Sequence, residues 1–400
     1  MSDATPPAGA APEPPSPDPP APAPADDRAM HHVTEQTRTY PCGSCGAQLE
    51  FNITKQNLTC PSCGNEQAIV VDPARAPVEQ DYLAALASLR SGALASAPQR
   101  IEGEKEIVCQ NCGGHTTFSG SLTATRCPYC TTPIQRDDVH AAPARLPVDG
   151  ILPFQVDPKT ATAAIDEWIN GRWFAPNEFK KYSSKGSFAS VYTAYFTYDA
   201  QTASSYTGQR GDHYTVTVGS GDDRRTETRT RWSSVSGSVR NAFDDLPVYA
   251  NDGLDLGHVQ ALEPWPTHQA LPFSEEFVAG HLCRTYDHDV EESFVPAKAR
   301  IDDAIESTVR QDIGGDEQRV ERVATNYGSL AFKHLLLPIW LLTVLYEGKP
   351  FQVMINGVTG EVQGQRPYSK VKIALAVVAA LILVVILFVV FGGSGSDGSG

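Results

Sequence analysis

Two copies of one cysteine pattern constrain this chain more than any other feature. Cys42-Gly-Ser-Cys45 is followed after 14 residues by Cys60-Pro-Ser-Cys63, and Cys109-Gln-Asn-Cys112 after another 14 by Cys127-Pro-Tyr-Cys130. A CxxC pair closes a tight turn that points two sulfurs at one ion about 2.3 Å away, and a second pair completes a tetrahedral thiolate site. The spacing predicts two structural Zn²⁺ ions, one on Cys42, Cys45, Cys60 and Cys63, the other on Cys109, Cys112, Cys127 and Cys130. Redox dithiols, disulfides and iron sites use similar spacings. Residues 1–30, however, hold no apolar run that would act as a secretory signal, which leaves the thiols in a reducing cytosol where metal takes precedence. Four protein ligands close each site and leave no position for a catalytic water. At ~30 residues neither module can hold together on apolar burial alone, so the metal has to contribute folding free energy. Gly46, Gly64 and Gly113 follow knuckles, where positive φ is commonly needed. Phe51 and Phe118 sit at equivalent places beyond Cys45 and Cys112, so the modules align as a duplicated unit with a short hairpin between knuckles.

The C-terminal end supplies the second constraint. From Ile373 to Phe391 run 19 apolar residues without Pro or Gly. At ~1.5 Å per residue a helix of that length reaches ~28 Å, close to the ~30 Å hydrocarbon thickness of a bilayer. Lys370 and Lys372 precede the run, and the nine residues after it carry only Asp397. The positive-inside rule then keeps the lysine flank in the cytosol. The expectation is a single-pass, tail-anchored protein of the cell (inner) membrane with its N-terminal bulk cytoplasmic.

Between these constraints the chain divides by composition. Residues 1–38 form a Pro/Ala-rich arm, with ten prolines and eight alanines from Met1 to Met30, that cannot bury enough apolar surface to order itself. Zinc ribbons at 39–72 and 106–138 flank a helical linker, 73–105, in which Tyr82, Leu83, Leu86 and Leu89 recur at helical spacing. A Pro/Ala linker at 139–150 leads into a mixed segment at 151–366. There Asp157-Pro158 is an N-cap and first-turn pair for a helix striped by Ile165, Trp168 and Ile169. Residues 191–200, 213–218 and 226–232 read as strands, the last two joined by the hairpin loop GSGDDRR. A helix near 290–309 carries Pro296 in its first turns and stops at Ile313-Gly314-Gly315; residues 335–346, EGKP and 351–355 then form a β-meander. The expected fold class is multidomain α+β: two small four-cysteine zinc ribbons with rubredoxin-like knuckles, a mixed α+β domain rich in antiparallel strands, one transmembrane helix at 373–391 and a Gly/Ser tail at 392–400.

Charge narrows the function. The 400 residues carry 32 Lys plus Arg against 47 Asp plus Glu, a formal net charge of −15. The first module has one basic residue, Lys55, against Glu50, Glu66 and Asp72; the second has three basic against five acidic from Ile101 to Asp138. Phosphate contacts need Lys and Arg, so nucleic acid is not the expected partner. No phosphate-binding GxxxxGK[ST], GxSxG or HExxH motif occurs, and Asp316-Glu317-Gln318-Arg319 lacks the phosphate loop a helicase box requires. No catalytic residue is assigned. Arg210, Asp212, His213 and the Gly314–Glu317 loop are the one cluster an enzyme could use, although GQRGDHY reads first as a turn feeding a hairpin. Trp168, Trp173, Phe174, Tyr192, Tyr195, Phe196 and Tyr198 read as core rather than a base-stacking platform. Cys283, in HLCRTY, reads as a small buried thiol on a helix.

Several phrases carry a resemblance: GRWFAPNEFK, YTGQRGDHY, DIGGDEQ and INGVTGEVQGQRPYS, together with the two ribbons. Over residues 40–390 the chain resembles bacterial membrane-bound TFIIB-type zinc-ribbon proteins, often labelled primosomal protein N′-like or helicase-like. Some relatives accompany phage-shock protein A homologues in envelope-stress operons. The resemblance implies a non-enzymatic adaptor that places protein partners, phage-shock protein A-like ones among them, at the lipid bilayer into which residues 373–391 insert. A membrane-tethered nucleic-acid factor of the replication or transcription type is the alternative.

Overall fold

The computed structural model describes residues 40, 42–47, 49–71, 76–91, 104–108, 114–119, 125–126, 129, 133–134, 139–141, 146–182, 187–221, 224–284 and 286–392. The Pro/Ala arm, Gly113 and all four cysteines of the second module lie outside them. In chain order the main elements begin with strands β1 (Glu50–Asn52), β2 (Asn57–Thr59) and β3 (Glu66–Gln67), then helices α1 (Tyr82–Arg90) and α2 (Pro158–Asn170). Next come β4 (Ser187–Val218), β5 (Arg225–Tyr249), helix α3 (Val290–Ile313), β6 (Glu317–Tyr346), β7 (Lys349–Asn356), β8 (Val362–Gly364) and helix α4 (Lys370–Gly392). The protein is mixed α+β, its sheets mainly antiparallel.

Helix starts follow the local chemistry. The Asp157 carboxylate accepts from the amides of Lys159 and Thr160, and Pro158 fills the first turn of α2. Asp289 and Glu292 form a reciprocal capping box at the start of α3. Pro296 sits early in that helix, and Gly314, at φ 64°, ends it. In α1 the buried face is Tyr82, Ala85 and Leu86, whereas Leu83, assigned to the apolar stripe from spacing, points outward.

The strands are far longer than their apolar runs. β4 has 32 residues, β5 25 and β6 30, and β4 pairs antiparallel with both others. At ~3.3 Å per residue β4 alone traverses on the order of 100 Å. Burial divides these strands in two. Along the later half of β6 every residue from Phe332 to Val344 is buried, because both faces of the sheet are covered. Leu336, Trp340, Leu342 and Val344 join a core with α2 and the first cysteine module, while Leu335, Leu337, Ile339 and Leu341 join another with Tyr129, Leu262 and Trp265 on the opposite face. Beyond Ala200 the three strands form an arm, partly open to solvent. Here α3 lays Ile301, Ile305, Val309 and Ile313 against Ala200, Tyr206 and Val239.

GQRGDHY is therefore mid-strand, not a turn. Its glycines serve close packing: a Cβ on Gly208 would lie 2.5 Å from the Arg319 carbonyl oxygen, and one on Gly211 2.8 Å from the Thr230 methyl. Asp316-Glu317 likewise leads into a strand. Cys283 lies on the two-residue strand Leu282–Cys283, parallel to β4, rather than on a helix, and is only partly buried.

Buried charge braces the base of the arm. Lys333 Nζ lies 2.6 Å from Asp245, 3.2 Å from Glu79 and 3.5 Å from Asp199. Burial pushes the Asp199 carboxyl up to about 6, and does the same to Asp149, which accepts from the His334 amide and the Gln80 side chain. This cluster ties the strand Gln80–Asp81, paired with β6, to the point where the arm leaves the body.

Candidate metal centre

The first cysteine module folds as two near-identical knuckles. The amide of Gly46 donates to the Cys42 carbonyl (2.8 Å) and that of Gly64 to the Cys60 carbonyl (2.9 Å), both glycines at φ 75°. Each turn is closed again by the Cys42 amide on the Ala47 carbonyl and the Cys60 amide on the Asn65 carbonyl. The chain between them is the expected hairpin, β1 on β2 with Phe51 opposite Leu58, and β3 extends it. Lys55 pairs with Glu66, which also accepts from Asn57, 2.9 Å away.

These turns bring the four sulfurs together. Cys42 Sγ lies 3.5 Å from Cys63 Sγ, Cys45 Sγ lies 3.5 Å from Cys60 Sγ, and all four fall within 4.8 Å of one another. Four thiolates about 2.3 Å from one Zn²⁺ would stand about 3.8 Å apart, so the cluster fits a tetrahedral ion. Cys42 and Cys60 are buried, and Cys45 and Cys63 face solvent. The electrostatics also ask for a cation. The backbone N–H of Ser44 draws the Cys42 thiol down to about 6. At Cys63 the Asn65 amide favours the thiolate, yet the sulfurs of Cys45, Cys42 and Cys60 outweigh it and push the thiol up to about 12. The first thiolate forms readily and the last does not, unless positive charge lies among them.

The module is fused to the body. Leu49, Phe51, Ile53 and Leu58 share one core with Phe154, Phe277 and Trp340. The Phe51 amide donates to the Ala279 carbonyl (3.0 Å), and Gln56 Nε2 reaches the Phe154 carbonyl (2.8 Å). His281 is the hinge pin of this joint. Its ring lies against Phe51, Phe154 and Tyr192 at 5.2–5.9 Å, its Nδ1 is 2.7 Å from Ser190 Oγ, and burial lowers its pKa to about 4. An imidazole depressed from 6.5 contributes stability fully above pH 6.5 and loses it as pH falls toward about 4. Exchange of the Phe51 amide, corrected for intrinsic rate, should accelerate as pH is lowered through that window. His281→Gln should flatten the response, and an equally steep response in H281Q would exclude this origin.

Cys109, Cys112, Cys127 and Cys130 lie outside the described residues, but neighbouring segments are placed. His115–Ser119 pairs with Glu104–Val108, upstream of its knuckle, and Thr125–Arg126 pairs with Pro133–Ile134. The second of these pairings is the counterpart of β2 with β3 in the first module, and the stretch 120–124, where the expected hairpin would turn, lies outside the described residues. Tyr129, between Cys127 and Cys130 in sequence, is buried under the guanidinium of Arg284 at 4.1 Å, and its carbonyl accepts from Gln352. Arg284 is wholly buried; it donates to Tyr249 Oη (3.2 Å), to the Asp252 carbonyl (2.5 Å) and to Asp287 (3.0 Å). Sequence reasoning missed this arginine, whose only signal was its place in HLCRTY.

The chain is similar to uncharacterized protein YdjG of Bacillus subtilis (strain 168), at 24% identity over 348 residues, which cover 84% of this chain and 92% of that protein. No family model matches it. No solved structure matches either.

Three further expectations can be located. His213 Nε2 lies 2.8 Å from Glu317, the His213 amide 2.6 Å from Asp316, and Arg210 Nε 2.9 Å from Asp212. The cluster does converge, but on an open strand face where the Arg210, Asp212, His213 and Glu317 side chains are 43–49% exposed. Tyr192, Tyr195, Phe196 and Tyr198 are core, as expected, whereas Trp173 and Phe174 are exposed. Helix α4 is long and apolar enough to cross a membrane, and none of its apolar window is buried in the protein.

Proposed function

We propose that this chain is a non-enzymatic, membrane-anchored zinc-ribbon adaptor that holds cytosolic protein partners at the inner membrane. The carrying observation is a closed four-sulfur cluster built into the same core as the sheet, in a chain that ends in an unburied apolar helix. Cys42, Cys45, Cys60 and Cys63 would hold one Zn²⁺, and the repeated spacing assigns a second to Cys109, Cys112, Cys127 and Cys130. Zinc in such a site supplies structural cross-linking. The fused joint at Phe51 and His281 makes the first ribbon part of the rigid body, not a module on a free linker. Confinement by α4 raises the effective concentration of any partner at the same surface. The family resemblance points to phage-shock protein A-like partners in envelope stress.

In the test, the full chain is crosslinked in intact membranes, with and without intact knuckles, and its neighbours are identified. Recovery of a protein that depends on Cys42–Cys63 supports the adaptor; alkaline carbonate releasing the chain, or no protein crosslinks, counts against it. One observation keeps the nucleic-acid alternative open: residues 224–240 carry Arg224, Arg225, Arg229, Arg231 and Arg240, all exposed, against Glu227 alone. Steeply salt-dependent binding of single-stranded DNA, lost on neutralising these arginines, would favour it.

A further inference from the structure

The loop that follows α2 is bound to the foot of α4. The Ser369 amide donates to the Phe174 carbonyl at 2.8 Å, and Lys372 Nζ donates to the Ala175 carbonyl and Asn177 Oδ1, each at 2.8 Å. Above these bonds Phe174 and Tyr368 stand across a cleft of about 370 Å³ from Ile373, Ala376, Val377 and Ala380. Those four helix positions repeat as one stripe, and the run from Ile373 to Ala380 climbs ~10 Å along the axis. Trp173 packs edge-on against Phe174 at 5.0 Å, and its side chain, like that of Tyr368, lies mostly in solvent (64% and 57% exposed). Large aromatics left outside a core beside an apolar helix call for an explanation.

The length of the apolar run supplies it. Nineteen residues barely match a ~30 Å hydrocarbon layer, so the helix cannot slide outward, and Ile373 must mark the boundary. A loop that shares a cleft with Ala380 is then carried into the interfacial zone, where Trp and Tyr are favoured. Three cations neighbour these aromatics: Arg366, over Tyr368 (5.4 Å), Arg172, over Trp168 (4.7 Å) and next to Trp173 in sequence, and exposed Lys370 at the start of α4. Basic residues at this position are drawn to an anionic leaflet. We propose that the cleft between the 173–174 loop and α4 takes an acyl chain of an anionic phospholipid, with Trp173 and Phe174 embedded at the interface and Arg172, Arg366 and Lys370 facing the headgroup. This rests on the reading that α4 spans a bilayer.

The full chain, reconstituted into phosphatidylcholine vesicles containing phosphatidylglycerol, tests it. Lipids brominated near the acyl carbonyls should quench a component of the tryptophan emission that W173F lacks, lowering the quenchable signal at least about twofold. Lipids brominated at the chain terminus should not distinguish the two proteins. Brominated phosphatidylglycerol should quench Trp173 more than brominated phosphatidylcholine at equal mole fraction, and R366A/K370A should remove that preference. Equal shallow quenching of wild type and W173F in carbonate-resistant vesicles overturns the site, and absence of a headgroup preference overturns its anionic specificity. Release of the chain by carbonate instead overturns the spanning helix itself.

Discussion

Replacing Cys60 by serine is expected to cost the protein one bound metal ion and the folded state of its first cysteine module. Cys60 is buried, its amide and carbonyl close the second knuckle, and its sulfur faces that of Cys45 at 3.5 Å. Structural Zn²⁺ contributes an apparent ~10–16 kcal/mol to isolated finger peptides, far more than a small hairpin recovers from its own side chains. Phe51, Ile53 and Leu58 are anchored in the body, so the damage should spread inward, to Phe277 and His281. Elemental analysis should read two zinc ions per chain in the wild type and one in C60S, with protease cleavage appearing between residues 40 and 71. A wild type that holds no zinc and yields a pair of disulfides on mild oxidation would assign the thiols to redox chemistry.

The second large effect is at Arg284. Its guanidinium covers Tyr129 and neutralises Asp287, which also accepts from the Asp252 amide at 2.7 Å. Arg284→Ala leaves that carboxylate enclosed without its cation and opens the seat of Tyr129. Removing one member of a buried pair costs about 3–5 kcal/mol. Chemical denaturation in detergent should show this loss, and Arg284→Ala combined with Asp287→Ala should recover part of it, because the two residues are coupled. A cost under about 1 kcal/mol would mean that the pair is not a keystone.

What could be read from the sequence was what local chemistry dictates. The knuckles of the first module, the capped start of α2, the Pro296-bearing α3 and the apolar α4 all depend on residues close in sequence, and each lies where spacing placed it. The tip of the arm was legible too, since residues 213–218 and 226–232 pair antiparallel as expected, but the length of its strands was hidden for the opposite reason. Its strands carry Ser, Gly and Arg where a half-exposed surface allows them, and the ladder is held by partners about a hundred residues away, as where Gly208 meets Val320. Docking of the first module was equally hidden, since Phe51 meets Phe277 only through the tertiary fold. Cys283 looked helical because six residues of mixed polarity say little about period.

The length of that ladder carries a consequence for its assembly. Where side chains are small and polar, a shift of two places along the strand would preserve which face each residue shows and cost little. The irregularities between Gln201 and Thr202 and between Thr207 and Gly208, with Gly208 and Gly211 admitting no bulkier neighbour, act as index notches that permit one alignment. Widening either notch should leave the base of the sheet intact while letting its far end settle into several offsets.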